Sequence, residues 1–423
     1  MIHRWKLRSR NVYYRGGFRD LEVGIADGKI GEVGADVGRA DEELDLGDNL
    51  LLPGVIDGHV HFREPGNEEK EDFGSGSRAA LRGGVTTVLD MPNNEPPIKS
   101  PELFRQKKQI ARDKSLVNFG LYAGIPDDLD MLNPMWEEGA IGFKHYMAEE
   151  DLDLEDLAEM IDRIGALLTV HAEDKGVLNT LSRPGNPKEY LESRPPEAEI
   201  VAVKKLTSLS LDRLHLAHVT LPESVSLVQE MATTEITPHH LLLSRENLDL
   251  SNFVPVCNPP VRDGAMVERI QGLFLRGEID MIASDHAPHE RDKKTTSNPK
   301  KGSAGIPGVE TILPLSLTFA RNNNVPISSI VEKLTKNPAE IFGLEGRGEI
   351  REGNWADLTV VDGSADRKIL GEKFLSSAKL TPFEGDKVSF CPTMTFVNGD
   401  LKYREGEIIG AEPGRFITGD SNG

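Results

Sequence analysis

The stretch Gly54-Val55-Ile56-Asp57-Gly58-His59-Val60-His61-Phe62-Arg63-Glu64-Pro65-Gly66 sets two imidazoles two residues apart at the end of an apolar run. On an extended strand, residues i and i+2 point to the same face. His59 and His61 can therefore approach one metal ion together. Two imidazoles are only half of such a site, and an isolated His-x-His is better explained by surface or structural histidines. The distinction turns on whether other strand ends carry the remaining ligands.

They do. Apolar runs elsewhere close in Met91-Pro92-Asn93-Asn94, Gly142-Phe143-Lys144-His145-Tyr146, Val170-His171-Ala172-Glu173-Asp174, Leu216-Ala217-His218-Val219 and Ala283-Ser284-Asp285-His286-Ala287-Pro288-His289. A single histidine after an apolar run is commonly a hydrogen-bonded core residue, but this many polar endings point to one shared site. Imidazole and carboxylate ligands suit zinc, and a catalytic site keeps one position open for water. His59, His61, His171, His218 and Asp285 exceed what one tetrahedral ion accepts, which implies two zinc ions. Lys144 offers the bridge between them: a neutral amine takes up carbon dioxide to form a carbamate, and burial lowers a lysine pKa toward that neutral form. A water shared by two such ions would lose its proton near neutral pH, and Asp285 is placed to take that proton and pass it to a leaving nitrogen. The chemistry is amide hydrolysis without a serine or cysteine nucleophile.

The elements that position these residues follow from the texture of the chain. From Leu51 onward, apolar runs of strand length alternate with helical patterns, as in parallel strands joined by crossover helices. Eight strands are expected, at Leu51-Ile56, Val85-Met91, Val117-Ile125, Ala140-Tyr146, Ala166-Ala172, Leu214-Val219, Thr234-Pro238 and Ile279-Ala283. Helical stretches such as Phe104-Lys114, Leu154-Ile164, Pro196-Leu209 and Met266-Gly277 lie between them. The fold class is α/β, a (β/α)8 TIM barrel over residues 51–343, whose chemistry belongs at the C-terminal strand ends. Residues 1–50 read as short strands and turns, including the Asp27-Gly28 hairpin signal, and β texture returns over 344–423. The two ends are expected to pair into one small β-sandwich.

At 423 residues, the chain is long enough for a large domain and a smaller one. A net charge of -20 disfavours nucleic acid and anionic membrane surfaces, whose binding depends on positive side chains. No apolar run reaches the roughly 20 residues of a membrane span, and the start, Met1-Ile2-His3-Arg4-Trp5-Lys6, lacks a secretory apolar core. A cytoplasmic protein is expected. Two cysteines, Cys257 and Cys391, argue against a disulfide framework and a thiolate zinc site.

Taken together, His59-Val60-His61-Phe62-Arg63-Glu64-Pro65-Gly66, Gly83-Gly84-Val85-Thr86-Thr87, Met91-Pro92-Asn93-Asn94, Thr237-Pro238-His239-His240, Asn258-Pro259-Pro260-Val261-Arg262, Ser284-Asp285-His286-Ala287-Pro288-His289 and Gly308-Val309-Glu310-Thr311 resemble the amidohydrolase superfamily and, within it, the dihydroorotases. The resemblance runs from about residue 20 to 410. It implies the same barrel and sandwich, with His59, His61, carbamylated Lys144, His171, His218 and Asp285 as metal ligands. It further implies that Arg63, Asn93 and His289 hold a substrate carboxylate and that Asn258 lies against a pyrimidine ring. The implied reaction is reversible closure of N-carbamoyl-L-aspartate to L-dihydroorotate, by a homo-oligomer or in association with aspartate transcarbamoylase. Arg63 matters most among these, because a planar guanidinium grips a carboxylate in two places and the related allantoinases and hydantoinases differ there.

Some positions stay open. An aspartate bridges in some dihydroorotases, so Asp151 or Asp153 competes with Lys144. His145 and His215 are expected to alternate away from the site. His239 and His240 are candidates for orienting ligands. The basic loop from Glu290 through Lys293-Lys294 to Ala304-Gly305 either attracts and covers the substrate or is a solvated surface loop. Met147-Ala148-Glu149-Glu150-Asp151 is a candidate lid. The competing functions are an allantoinase- or hydantoinase-like enzyme and a non-catalytic scaffold for aspartate transcarbamoylase.

Overall fold

The computed structural model describes residues 3–419. Met1, Ile2 and residues 420–423, at the outer ends of the two sandwich segments, lie outside the described residues.

Eight parallel strands form the barrel: Val55–Val60, Val85–Asp90, Asn118–Leu121, Phe143–Tyr146, Leu168–His171, Leu214–Leu216, Thr233–Ile236 and Met281–Ile282. Strands one to three make one sheet and strands four to eight another. A two-residue continuation of strand three, Ala123–Gly124, pairs with strand four and joins the two sheets. At the other seam Val60 bridges His286, and the His61 amide donates to the His286 carbonyl at 2.8 Å. That contact closes the barrel beside the His-x-His pair. The strands are buried along their lengths because helices cover the outside and side chains fill the inside, hence their continuous apolar runs.

The first strand departs from expectation. Leu51-Ile56 is not one element: Leu50–Pro53 belongs to the sandwich sheet, pairing with Leu358–Asp362, and the barrel begins at Val55. Gly54 is the change-over residue. Its amide donates to the Asp357 carbonyl, and a Cβ there would lie 2.2 Å from the Thr86 hydroxyl, so only glycine lets the chain pass between the two sheets.

The crossover helices carry their own start signals. Asp72 and Ser75 form a capping box on helix Phe73–Arg82, Ser100 caps Pro101–Lys114, and Asp153 caps Leu154–Ile164, which ends on left-handed Gly165. These caps set where each helix turns back, and so where each strand end opens.

The chain ends form one continuous nine-stranded sheet in which His3–Tyr14 pairs with the Leu50–Pro53 segment, and that segment with Leu358–Asp362. Its inner faces meet in a separate apolar core of residues such as Trp5, Leu7, Val23, Leu358 and Phe396. Both ends of the chain are thus needed for one sandwich.

Candidate metal centre and active site

The first metal-type cluster is built from both ends of the barrel seam. His59, His61 and Asp285 bring three buried ligand atoms within 4.8 Å of one another. The Nε2 atoms of His59 and His61 lie 3.3 and 3.1 Å from the same Asp285 Oδ1. Each ring is turned by its other nitrogen: His59 Nδ1 donates to Glu235 at 2.5 Å, and His61 Nδ1 to Asn93 at 2.7 Å. With those protons engaged elsewhere, two imidazole lone pairs and a carboxylate oxygen converge with no proton to share. A cation reconciles such a donor set.

The second pair lies across the bowl. His171 Nδ1 and His218 Nε2 face each other at 3.1 Å, and the rings of His59 and His218 are 5.3 Å apart. His171 is oriented through Nε2, which donates to Glu173 at 2.8 Å; Glu173 is in turn gripped by Arg194. Burial holds His218 well below the ordinary histidine range, with His171 adding to the effect, and draws His61 down to about 3. Neutral rings are the form that ligates.

Lys144 stands on strand four, fully buried, and its Nζ has no hydrogen-bond partner in the protein. Burial lowers its pKa to about 8 against the opposing pull of Glu235 and Asp285. A buried, unpaired amine whose neutral form is brought within easier reach fits a group that is modified or that ligates. The aspartate alternative fails on geometry. Asp151 is exposed and bound to Lys175 at 2.6 Å, and Asp153 caps its helix, so neither reaches the centre.

Three residues of this site, Arg63, His218 and Asp285, have positive φ (60°, 34° and 44°), whereas Arg15, Asp27, Asn324, Asn398 and Glu405 adopt it outside the site. Non-glycine residues take this conformation at a cost, and such strain gathers where side chains must be aimed. Arg63 is 9% exposed; one terminal nitrogen lies 3.4 Å from His289 Nε2, and its Nε is unpartnered. His289 donates from Nε2 to the Ala304 carbonyl at 2.9 Å, leaving Nδ1 free. Asn93 uses its carbonyl on His61, so only its amide faces outward. Asn258 sits farther off, donating to Tyr190 at 3.2 Å with its own carbonyl unpartnered.

The unpartnered buried polar atoms are informative as a set. Arg63 Nε, Lys144 Nζ, Tyr146 Oη, His218 Nδ1, Asn258 Oδ1 and His289 Nδ1 all belong to residues of this bowl or its rim. Others, such as His3 Nδ1, Trp5 Nε1, Ser224 Oγ and Arg245 Nε, lie elsewhere in the protein, but these six are the ones open to a ligand received in the bowl.

Several supports were not legible as such. Glu235 in strand seven accepts from His59 and His215 and from the His218 amide, tying three strands at the centre. Its only signal in the sequence is a carboxylate inside a buried strand. His215 holds Glu235, and His145 turns away to Glu150 at 2.7 Å. His239, His240 and Cys257 also lie within 4.8 Å of one another. There, however, His240 is engaged by Thr237 at 2.8 Å and the Pro259 carbonyl at 2.9 Å, and Cys257 by the same carbonyl at 3.2 Å. His240 thus fastens the strand-seven end to the Asn258 loop, while His239 Nε2 has no hydrogen-bond partner. Segment 147–151 is pinned by Lys99 on Glu150 and Lys175 on Asp151.

An Amidohydrolase family model matches residues 50–402. The chain belongs to the amidohydrolase family. This amidohydrolase is similar to a dihydroorotase of Methanothermobacter thermautotrophicus, with 38% identity covering 96% of both chains. It is also similar to an allantoinase of Rubrobacter xylanophilus, with 33% identity over 95% of each chain. Among solved structures it matches the L-hydantoinase (dihydropyrimidinase) of Arthrobacter aurescens, with a TM-score of 0.93, 27% identity and coverage of 98% of this chain and 100% of that one. The fold is that of a (β/α)8 barrel enzyme with a β-sandwich, and the metal-type cluster of His59, His61 and Asp285 lies at the ends of the barrel strands.

Proposed function

We propose that the chain is a dihydroorotase, interconverting N-carbamoyl-L-aspartate and L-dihydroorotate plus water in pyrimidine synthesis. The observation that carries this reading is Arg63, a buried guanidinium with a free Nε beside His289, at the rim of two converging ligand clusters. Hydantoin and allantoin carry no carboxylate to neutralise it, whereas dihydroorotate does. The dihydroorotases among its relatives support the same choice.

In this reading, residues 55–343 are the catalytic unit, the boundary moving from 51 because Leu50–Pro53 pairs in the sandwich sheet, and the flanking segments are its support. His59, His61 and Asp285 would hold one zinc ion, His171 and His218 a second, and Lys144 as a carbamate would link them. When bound, the ions acidify a water and polarise the carbonyl it attacks. Asp285 accepts the water's proton and returns it to the ring nitrogen as the carbon–nitrogen bond breaks; in the closing direction the same carboxylate works in reverse. Arg63 and the Asn93 amide orient the carboxylate, and Asn258 lies along the ring. Glu235 and Glu173 keep the imidazoles turned inward.

The second reading, an allantoinase- or hydantoinase-like enzyme, is favoured by the relatives of those names. Loss of ultraviolet absorbance of dihydroorotate, measured beside product release from allantoin and hydantoin, separates them. Turnover of only the latter two would sink the dihydroorotase reading. A non-catalytic scaffold for aspartate transcarbamoylase is the weakest reading, because every expected ligand is present. We take the working enzyme to be cytoplasmic, as a homo-oligomer or in association with aspartate transcarbamoylase; among the described residues no helix is long and apolar enough to cross a membrane.

A further inference from the structure

For the loop after strand eight the sequence offers two readings, a basic segment that attracts and covers the substrate or a solvated surface loop. The structure divides its two lysines: Lys293 is partly exposed, but Lys294, at the end of the single-turn helix Arg291–Lys294, is 2% exposed. Its ammonium donates to three backbone carbonyls, those of Val256 at 3.1 Å, Ser303 at 3.0 Å and Gly305 at 2.6 Å. Three donors meet three acceptors, which is all that an ammonium can offer. Among the described residues no carboxylate forms an ion pair with it.

Burying a cation against carbonyl dipoles alone is costly, and an apolar side chain would fill the same space more cheaply. What the ammonium achieves is a connection. The Val256 carbonyl also accepts from the Gly305 amide at 2.8 Å, so segments 256–258 and 303–305 are cross-linked twice at one atom. One segment carries Asn258, whose carbonyl is unpartnered; the other carries the Ala304 carbonyl that holds His289. The return is pressed close: Gly305 has φ of 145°, and a Cβ there would lie 2.5 Å from the Ala287 carbonyl. Across the bowl Lys107 does comparable work with a counterion. It binds Asp90, the Met91 carbonyl at 2.6 Å and Asn94 at 2.8 Å, and so holds the loop bearing Asn93.

We propose that Lys294 is a positioning residue of the substrate pocket, setting through three carbonyls the spacing between Asn258 and His289, the side chains read as contacting the substrate's ring and its carboxylate. The proposal rests on the reading of this bowl as a cyclic-amide site. It predicts an effect on ground-state binding with little effect on the bond-breaking step.

The test uses the full-length, metal-loaded enzyme with Lys294→Met and Lys294→Gln. On whichever of dihydroorotate, hydantoin and allantoin the wild type turns over, Lys294→Met raises KM about tenfold or more, with kcat held within about threefold and metal content unchanged. Lys294→Gln, which keeps two N–H donors, falls between it and the wild type. Amide hydrogen exchange across 256–258 and 303–305 accelerates in Lys294→Met, also by about tenfold. An unchanged KM, a fall in kcat alone, or unaltered exchange in both segments overturns the proposal. Should Lys294→Met not fold, the Gln variant decides by the same two readouts. If the wild type acts on none of the three compounds, the functional reading fails separately, and the exchange experiment still decides whether Lys294 ties the two segments.

Discussion

Glu235 Oε1 accepts a hydrogen bond from His59 Nδ1 at 2.5 Å while its other oxygen accepts from His215 at 3.2 Å, all three residues lying at 1% exposure or less. One carboxylate thereby orients a candidate metal ligand through the ring face opposite the site. Replacing it with alanine strands two buried imidazoles and frees His59 to rotate. Glu235→Ala is expected to weaken metal retention roughly 10- to 100-fold and to lower stability by about 3 kcal/mol or more. Metal content after dialysis against a graded chelator series, with urea denaturation alongside, measures both; full metal retention would refute the orienting role.

Asp285 faces both histidines and, in the proposed mechanism, also moves the proton. Asp285→Ala should leave a folded barrel with turnover reduced by about 10³-fold or more. Circular dichroism and steady-state assays on the same preparation check this, and full residual activity would remove Asp285 from the mechanism.

Arg63 should govern substrate choice more than rate. Arg63→Met is expected to raise KM for dihydroorotate by about 100-fold, reflecting about 2–3 kcal/mol of lost charge-assisted bonding, while any activity on uncharged hydantoin changes far less. Equal losses on both compounds would mean that the guanidinium does not read the carboxylate.

Lys144 should report its own chemistry. Intact mass of the metal-loaded enzyme is expected to show the addition of carbon dioxide, lost in Lys144→Ala together with most of the metal. Reconstitution of metal-free protein in buffer stripped of carbon dioxide should then be slow and hastened by bicarbonate. An unmodified Lys144 in a fully active enzyme would exclude the carbamate.

A pH-dependent contribution to stability is expected from Glu310, which accepts from the Leu375 and Ser376 amides at 2.7 and 2.9 Å and so fastens the C-terminal segment to the barrel. Burial raises its carboxyl from 4.5 to about 7, outweighing those amides and Arg82. The folded protein therefore binds more protons than the unfolded chain between pH 4.5 and 7. Relative to Glu310→Gln, the wild type should lose up to about 3 kcal/mol across that window and little beyond it. Urea unfolding of both proteins at pH 5 and pH 8 measures the difference; a constant gap would show that Glu310 titrates normally.

Much of this protein could be read from residue order alone. The alternation of apolar runs with helical patterns implied a barrel, and His59, His61, Lys144, His171, His218 and Asp285 stood out because each closes such a run. Period-two geometry and the direction of a strand are local properties, so the candidate ligands could be picked out from them. Tertiary structure decided what no local pattern encodes. Gly54 shows it in the fold, since only the crossing of two sheets reveals that Leu50–Pro53 and Val55–Val60 are separate strands. Asp151 and Asp153 looked able to bridge but are held by Lys175 and by a helix end. Lys294 looked like surface charge and is a buried tether. Glu235 carried no motif at all. Asp153 is the local exception, held by amides two and three residues on; for Gly54, Asp151 and Glu235 the decisive partner lies farther along the chain, and the energy of a buried polar group such as Glu235 depends on that partner rather than on its neighbours in sequence.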